Sequence, residues 1–176
     1  MLSVQELRSL AASLSAKDFE RQLGPFALIQ RPPSEASTAV LAPTRMADPE
    51  DISLGMMSLL FEFEHLRVVT LPPLHATDHL TIGRRMDCDF VIDDASVSKM
   101  HAELRWNDAE RRCTVQDLGS TNGTFLNAGT LGTREATLRD GDILSFGNVQ
   151  FWYLEARTLH ERLRAGEATG LGSRSG

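Results

Sequence analysis

The amino-acid sequence predicts a mainly β protein: a β-sandwich with a small mixed N-terminal extension and a short C-terminal helix. The main observation is that, from Phe61 onward, short apolar runs alternate with turn-forming residues. Many short strands joined by turns are typical of a sandwich. In addition, hydrophobic residues make up 41% of the 176 residues, which permits a core. This length fits one domain of ordinary size with extensions, or two small domains.

The predicted strands of the domain at residues 61–155 follow its apolar runs. Alternation is clear where Ala102, Leu104 and Trp106 are separated by polar residues, and where Cys113 and Val115 flank a threonine. The sequence predicts strands at Leu66–Leu71, His79–Ile82, Phe90–Ile92, Ala102–Trp106, Cys113–Val115, Ile143–Phe146 and Val149–Leu154, with a hairpin turn at Gly147-Asn148.

Residues 1–60 are predicted to form an N-terminal extension of helices, short strands and a linker. Ser3 and Glu6 form a capping-box pattern ahead of apolar residues at helical spacing. Ser15 repeats the cap signal before a second helix that ends at Gly24. We expect a strand at Phe26–Ile29, a linker at residues 31–37, and a helix or alternatively a strand at residues 52–60. The extension carries no functional motif, which favours a packing or docking role.

The last part of the chain, residues 156–176, is predicted to hold a short helix and a disordered tail. Leu159 and Leu163 are four residues apart, as on one helix face. We expect this helix to run from about Glu155 to Ala165 and to end at Gly166. The last ten residues are rich in Gly and Ser, a composition typical of disorder.

Composition argues against several classes of protein. The formal charge of −6 and the lack of a polybasic run argue against nucleic-acid binding. Two cysteines do not make a disulfide framework. Neither a signal-peptide pattern nor an apolar run of membrane-spanning length occurs, so we expect a cytoplasmic protein without membrane contact.

Three turns, far apart in sequence, carry side chains that bind anions or amides. They contain Gly83-Arg84, Ser98-Lys99-Met100-His101 and Gly119-Ser120-Thr121-Asn122-Gly123-Thr124. The first two turns each supply a basic residue, and the second and third supply hydroxyls. On a rigid β scaffold, this grouping predicts a loop-borne site for a phosphorylated group.

These motifs resemble the forkhead-associated (FHA) domain signature over about residues 62–155, including Gly141-Asp142 and Gly147 further on. The resemblance implies an FHA-like β-sandwich that binds phosphothreonine peptides through loops at one end. The partner it implies is a phosphothreonine-containing protein, a Ser/Thr kinase or its substrate. No cofactor and no metal are expected, and the oligomeric state stays open.

The resemblance also implies roles for individual residues. Arg84 matches the arginine that contacts phosphate, Ser98 the hydroxyl donor, and Lys99 a variable, often basic position. Thr121 and Asn122 match the pair that holds the peptide. The resemblance gives structural roles to four motif residues: Gly83, His101, Gly119 and Gly123. One departure is Asn127-Ala128-Gly129, where the family often has Asn-Gly, and residues 130–135 are expected to face the peptide three residues after the phosphothreonine.

Other functions are weaker alternatives. One is an FHA-fold scaffold that does not read phosphate and acts through its N-terminal extension. An enzyme is not expected, because His101-Ala102-Glu103 lacks the cysteine pair of a zinc deaminase and the Gly119 loop lacks a P-loop ending. A metal site at His75 and His79 is also not expected, because these residues flank a proline-rich loop.

Overall fold

The computed structural model describes residues 3–31, 68–70 and 78–170. Its helices are α1 (Val4–Ser13), α2 (Ala16–Leu23) and α3 (Ala156–Gly170). Its strands are β1 (Phe26–Gln30), β2 (Val68–Thr70), β3 (His79–Gly83), β4 (Phe90–Val91), β5 (Ala102–Asn107), β6 (Arg112–Asp117), β7 (Thr124–Leu126), β8 (Gly129–Thr130), β9 (Ala136–Thr137), β10 (Ile143–Phe146) and β11 (Val149–Glu155). The predicted linker and the predicted helix or strand at residues 52–60 lie outside the described residues, apart from Arg31.

The strands form two sheets that pack face to face, which confirms the predicted β-sandwich. One sheet has the order β2-β1-β11-β10-β7-β8, and the other has the order β4-β3-β5-β6-β9. All pairs are antiparallel except β3 with β4. Alternate residues of both sheets face inward. The core includes Leu104 and Val115 from one sheet, and Leu144 and Phe151 from the other.

Strand β1 comes from the segment predicted as an extension, yet it lies within the first sheet. It pairs with β11 from Phe26 opposite Glu155 to Gln30 opposite Phe151. Phe26 and Leu28 point into the sandwich core. The opposite face of this strand contributes to a second apolar cluster, covered by the three helices.

The helix starts agree with the predicted caps. The Ser3 Oγ accepts from the Glu6 N–H at 3.3 Å, and the Glu6 carboxylate accepts from the Ser3 N–H at 2.7 Å. In α2, the Ser15 Oγ accepts from the Asp18 N–H at 3.2 Å, and Gly24 ends the helix with a φ of 97°. The starts of both helices and the end of α2 are therefore determined by the local sequence.

The predicted end of the C-terminal helix is wrong. Instead of stopping at Gly166, α3 continues to Gly170, so the first part of the predicted disordered tail is helical. A glycine inside a helix costs only about 1 kcal/mol relative to alanine. Leu159 and Leu163, both buried against the helical cluster, anchor the preceding turns. No helix among the described residues is long and apolar enough to span a membrane.

Candidate functional site

Hydrogen bonds join three loops, each of which follows a strand of the five-stranded sheet. They follow β3, β4 and β6, and are called here the first, second and third loops (residues 84–89, 92–101 and 118–123). The Arg84 N–H donates to the Ser98 carbonyl at 2.9 Å, and the Arg85 N–H donates to the Lys99 carbonyl at 3.1 Å. These two bonds fix the first loop against the second.

Side chains join the second loop to the third. The Ser98 Oγ accepts from the Thr121 N–H at 2.9 Å. The Asn122 Nδ2 donates to the Ser96 carbonyl at 2.8 Å. The structure thus gathers Arg84, Ser98, Lys99, Thr121 and Asn122 on loops in direct contact.

Close backbone packing explains the glycine before Arg84. Gly83 is buried, and a Cβ atom on it would lie 2.2 Å from the Lys99 carbonyl oxygen. Any side chain would therefore push the first loop off the second. Gly83 also ends β3, so the position of Arg84 follows from this close approach.

His101 lies beneath the loops with 0% of its surface exposed. Its Nδ1 accepts from the Ser98 N–H at 3.0 Å, and its Nε2 lies 3.0 Å from the Gly123 carbonyl. Because a carbonyl can only accept, the proton belongs on Nε2. The ring packs edge-on against Phe146. His101 therefore links the second loop to the third through two hydrogen bonds inside the protein.

Asp117 holds the third loop, a role that our sequence analysis missed. Its carboxylate accepts from the N–H groups of Gly119 and Ser120, each at 2.9 Å, and from the Thr124 hydroxyl at 2.6 Å. Burial favours a raised pKa for Asp117, but hydrogen bonds from Ser120, Thr124 and Gly119 outweigh it and hold the pKa below its usual value. An aspartate two residues before glycine is a turn signal that could have identified it.

The two motif glycines of the third loop differ in their surroundings but share a left-handed backbone. Gly119 has a φ of +78° and Gly123 a φ of +86°. Around Gly119 there is open space for a Cβ atom, so only the backbone conformation favours glycine there. The Gly123 carbonyl is the group that His101 contacts.

Ser96 is a second residue that sequence reasoning missed. Its carbonyl accepts from Asn122, and its hydroxyl accepts from the Asn148 N–H at 2.9 Å. Gly147 packs directly on it, since a Cβ there would lie 2.4 Å from the Ser96 carbonyl oxygen. Ser96 therefore joins the loops of the site to the β10–β11 hairpin. No sequence signal marks this contact, because its partners are distant in the chain.

Hydrogen-bonding groups remain available on the outer side of the loops. Arg84 and Lys99 are exposed, and neither side chain forms a hydrogen bond or ion pair with the described residues. Arg85, by contrast, pairs with Asp87. The Ser98 oxygen already accepts from Thr121, so its hydroxyl proton can be donated outward. Asn122 uses one amide N–H inward, which leaves its Oδ1 free to accept.

Both cysteines are buried. Burial raises the pKa of the Cys113 thiol to about 12, and burial with the nearby Asp87 raises the pKa of the Cys88 thiol. Raised pKa values disfavour the thiolate that a nucleophile requires. Across the parts of the chain that the structure describes, no three His, Cys, Asp or Glu side chains are grouped as metal ligands would be. His75 lies outside the described residues.

Comparison with known proteins gives a family match for the region that carries these loops. Residues 80–147 match the model of the FHA domain. The chain is 39% identical over 69 residues to the FHA domain-containing protein FhaA of Mycobacterium tuberculosis, covering 39% of this chain and 12% of that protein. It is 38% identical over 72 residues to the glycogen accumulation regulator GarA of Mycolicibacterium smegmatis, covering 41% of this chain and 43% of GarA.

The chain thus spans less than half the length of these relatives. A solved structure from an analysis of phosphothreonine-dependent FHA domain interactions is 32% identical, with a TM-score of 0.44. That match covers 50% of this chain and 83% of the solved one.

Proposed function

Residues 80–147 form an FHA domain, and from this premise we propose that the protein is a phosphothreonine-peptide binding module. In this role it recruits a partner phosphorylated by a Ser/Thr kinase, either the kinase itself or its substrate. One relative is named as a regulator of glycogen accumulation, which supports a regulatory binding role over catalysis.

The observation that carries the proposal is that Arg84 and Ser98 lie side by side and each has hydrogen-bond donors available for a phosphate. The two residues are linked through the Arg84 N–H and the Ser98 carbonyl at 2.9 Å. The exposed guanidinium has a planar fork of donors that suits two phosphate oxygens at once. The Ser98 hydroxyl, oriented by its bond from Thr121, offers a third donor. Lys99 adds a second positive charge beside them.

Asn122 and Thr121 suit a role in holding the peptide backbone. Asn122 is exposed, and its inward bond to Ser96 fixes the side chain in one orientation. Its free Oδ1 can then accept from a peptide N–H without further ordering, which reduces the entropy cost of binding. Thr121 is exposed on the same turn. Phosphate recognition and backbone recognition are therefore assigned to neighbouring loops.

The test is a calorimetric titration of the full chain with a phosphothreonine peptide and its unphosphorylated form. Losing a charge-assisted hydrogen bond costs about 1.5–3 kcal/mol, so Arg84→Ala should weaken phosphopeptide binding at least about tenfold. Arg85→Ala is the matched control, because it removes the same charge from the next residue, whose guanidinium pairs with Asp87. We expect the control to change affinity by about twofold or less.

Equal losses in the two variants would show that only general charge matters and would contradict the assigned site. Equal affinity for the phosphorylated and unphosphorylated peptides would overturn the proposal itself. That result would favour the alternative of a scaffold that does not read phosphate.

A further inference from the structure

The large hydrophobic side chains exposed among the described residues all lie on the three loops of the candidate site. Met86 is 89% exposed on the first loop, Met100 is 37% exposed on the second, and Leu118 is 39% exposed on the third. We call these three residues the apolar patch. Single exposed hydrophobic residues are ordinary on protein surfaces. Here one stands on each loop that carries a proposed phosphopeptide contact.

Met100 connects the patch. Its Sδ lies 3.6 Å from the Cys88 Sγ on the first loop, and Cys88 closes the turn that presents Met86 through a 3.1 Å bond to the Arg85 carbonyl. On the other side, the Leu118 N–H donates to the carbonyl of His101, the residue after Met100, at 2.9 Å. Met86 and Leu118 therefore belong to the segments that flank Met100.

The patch residues lie close in sequence to the proposed phosphopeptide contacts on all three loops: Met86 is two residues after Arg84, Met100 is two after Ser98, and Leu118 is three before Thr121. Lys99 and Met100 are neighbours in the chain, as are Arg85 and Met86. We therefore expect a peptide whose phosphate lies at Arg84 and Ser98 to pass close to these exposed apolar side chains. Methionine is flexible and polarisable, so it adapts to apolar side chains of different shapes.

From this placement we infer that Met86, Met100 and Leu118 form an apolar subsite for a large aliphatic or aromatic side chain close to the phosphothreonine of the partner. The inference rests on the proposed function and adds a preference to it. The subsite lies on different loops from residues 130–135, which the sequence analysis linked to the third residue after the phosphothreonine. The protein would then select its partners by an apolar residue near the phosphothreonine as well as by the phosphate.

A peptide panel tests this. Every peptide carries one phosphothreonine flanked by serines, and in each peptide a leucine replaces one serine, from three residues before to three after. All peptides have the same charge, so differences in affinity report apolar contact. We expect leucine at one position to raise affinity for the unaltered chain about tenfold, as the burial of most of one such side chain would.

Two sets of variants locate the effect. Met100→Ser combined with Leu118→Ser should reduce the leucine gain to about twofold or less. Met86→Ser should reduce it as well, and at 89% exposure this substitution leaves packing untouched. Urea midpoints verify that each variant is folded. Arg84→Ala should weaken the serine and leucine peptides by the same factor and leave their ratio unchanged.

The outcomes separate the two proposals. Phosphate-dependent binding with no leucine gain, or with a gain that survives all three serine substitutions, overturns the subsite and leaves the proposed function standing. A leucine gain that disappears only with the patch substitutions supports the subsite. Binding without phosphate dependence overturns the proposed function, and the subsite for a phosphopeptide with it.

Discussion

Asp117 shows how a single carboxylate can organise a loop of the candidate site through hydrogen bonds within the protein. It is 8% exposed and accepts hydrogen bonds from Gly119, Ser120 and Thr124. Gly119 and Ser120 belong to the third loop, and Thr124 begins β7. The carboxylate therefore sets the position of Thr121 and Asn122, which lie between its partners.

Asp117→Asn should destabilise the protein by about 1–3 kcal/mol at pH 7, because the amide nitrogen would face donors and leave them without an acceptor. The pKa of Asp117 is lowered in the folded protein. The Asp117 carboxylate therefore contributes fully to the free energy of unfolding above the unfolded pKa, about 3.9. This contribution is lost as the pH falls through the lower pKa of the folded protein. Urea unfolding at pH 7 and at about pH 3 measures this change.

We expect the difference in unfolding free energy between the parent and Asp117→Asn to shrink at the lower pH. A difference that is independent of pH would show that the carboxylate charge does not support the loop. Asp93→Asn is a suitable control, because Asp93 is exposed.

For individual residues, the sequence identified several side chains of the candidate site but not the residues that they contact. Arg84, Ser98 and Asn122 could be named because their motifs lie in recognisable turns. The contacts of Ser96 with Asn122 and Asn148 depend on chain segments that are 26 and 52 residues apart. Such separations are set by the packing of two sheets, which local patterns do not encode.

The element with the clearest local strain is the hairpin between β7 and β8. Its two turn residues, Asn127 and Ala128, have φ values of 49° and 68°. The Asn127 side chain donates to Asp142 at 2.8 Å and accepts from the Ile143 N–H at 2.9 Å. Asparagine tolerates the left-handed region, but the Cβ of alanine is disfavoured there.

Ala128→Gly should stabilise the protein by about 1 kcal/mol, because glycine adopts positive φ without steric cost. The measurement is the urea midpoint at constant slope. The same substitution at Ala12, inside α1, is the matched control and should destabilise by roughly the same amount. If Ala128→Gly lowered the midpoint as the helical control does, the left-handed turn would not carry this strain.

Helices and strands that are determined by neighbouring residues in the sequence could be predicted, whereas those that depend on distant strands could not. The starts of α1 and α2 follow from Ser3 and Ser15, whose side chains cap their own helices. Strands β8 and β9 are only two residues long each. Such short segments carry no periodic pattern and exist because a neighbouring strand pairs with them.

At the scale of the whole molecule, β1 and β11 join two apolar cores. Phe26 and Tyr153 belong to the sandwich core, with ring centroids 5.1 Å apart. Residues one step along each strand, Ala27 and Trp152, belong to the cluster under the helices. The alternation of strand residues thus divides one strand pair between both cores.

Polar contacts reinforce this connection. Glu20 of α2 accepts from Arg157 of α3 at 3.1 Å and also pairs with Arg111 of the β5–β6 turn. Burial favours a raised pKa for Glu20, but hydrogen bonds from Arg111 and Arg157 outweigh it and lower the pKa. His160 of α3 contacts the Leu14 carbonyl at 2.8 Å. The sequence predicted these helices but not their packing, because amphipathic faces do not specify their partners.

A shared strand pair predicts that the two cores unfold together. The chain contains two tryptophans, and each reports one core: Trp106 is 6% exposed in the sandwich, and Trp152 is 3% exposed under the helices. Variants Trp106→Phe and Trp152→Phe each leave one reporter. Within each single-tryptophan chain, Leu7→Ala should lower the urea midpoint by an amount equivalent to about 2–5 kcal/mol.

The decisive comparison is the response of Trp106 to Leu7→Ala, since Leu7 lies in α1 and belongs only to the helical cluster. If β1 and β11 couple the cores, Trp106 and Trp152 report the same loss of stability in one transition. Leu104→Ala, in the sandwich core alone, gives the reciprocal test through Trp152. A Trp106 midpoint unaffected by Leu7→Ala would show that the sandwich unfolds independently of the helices that cover β1 and β11.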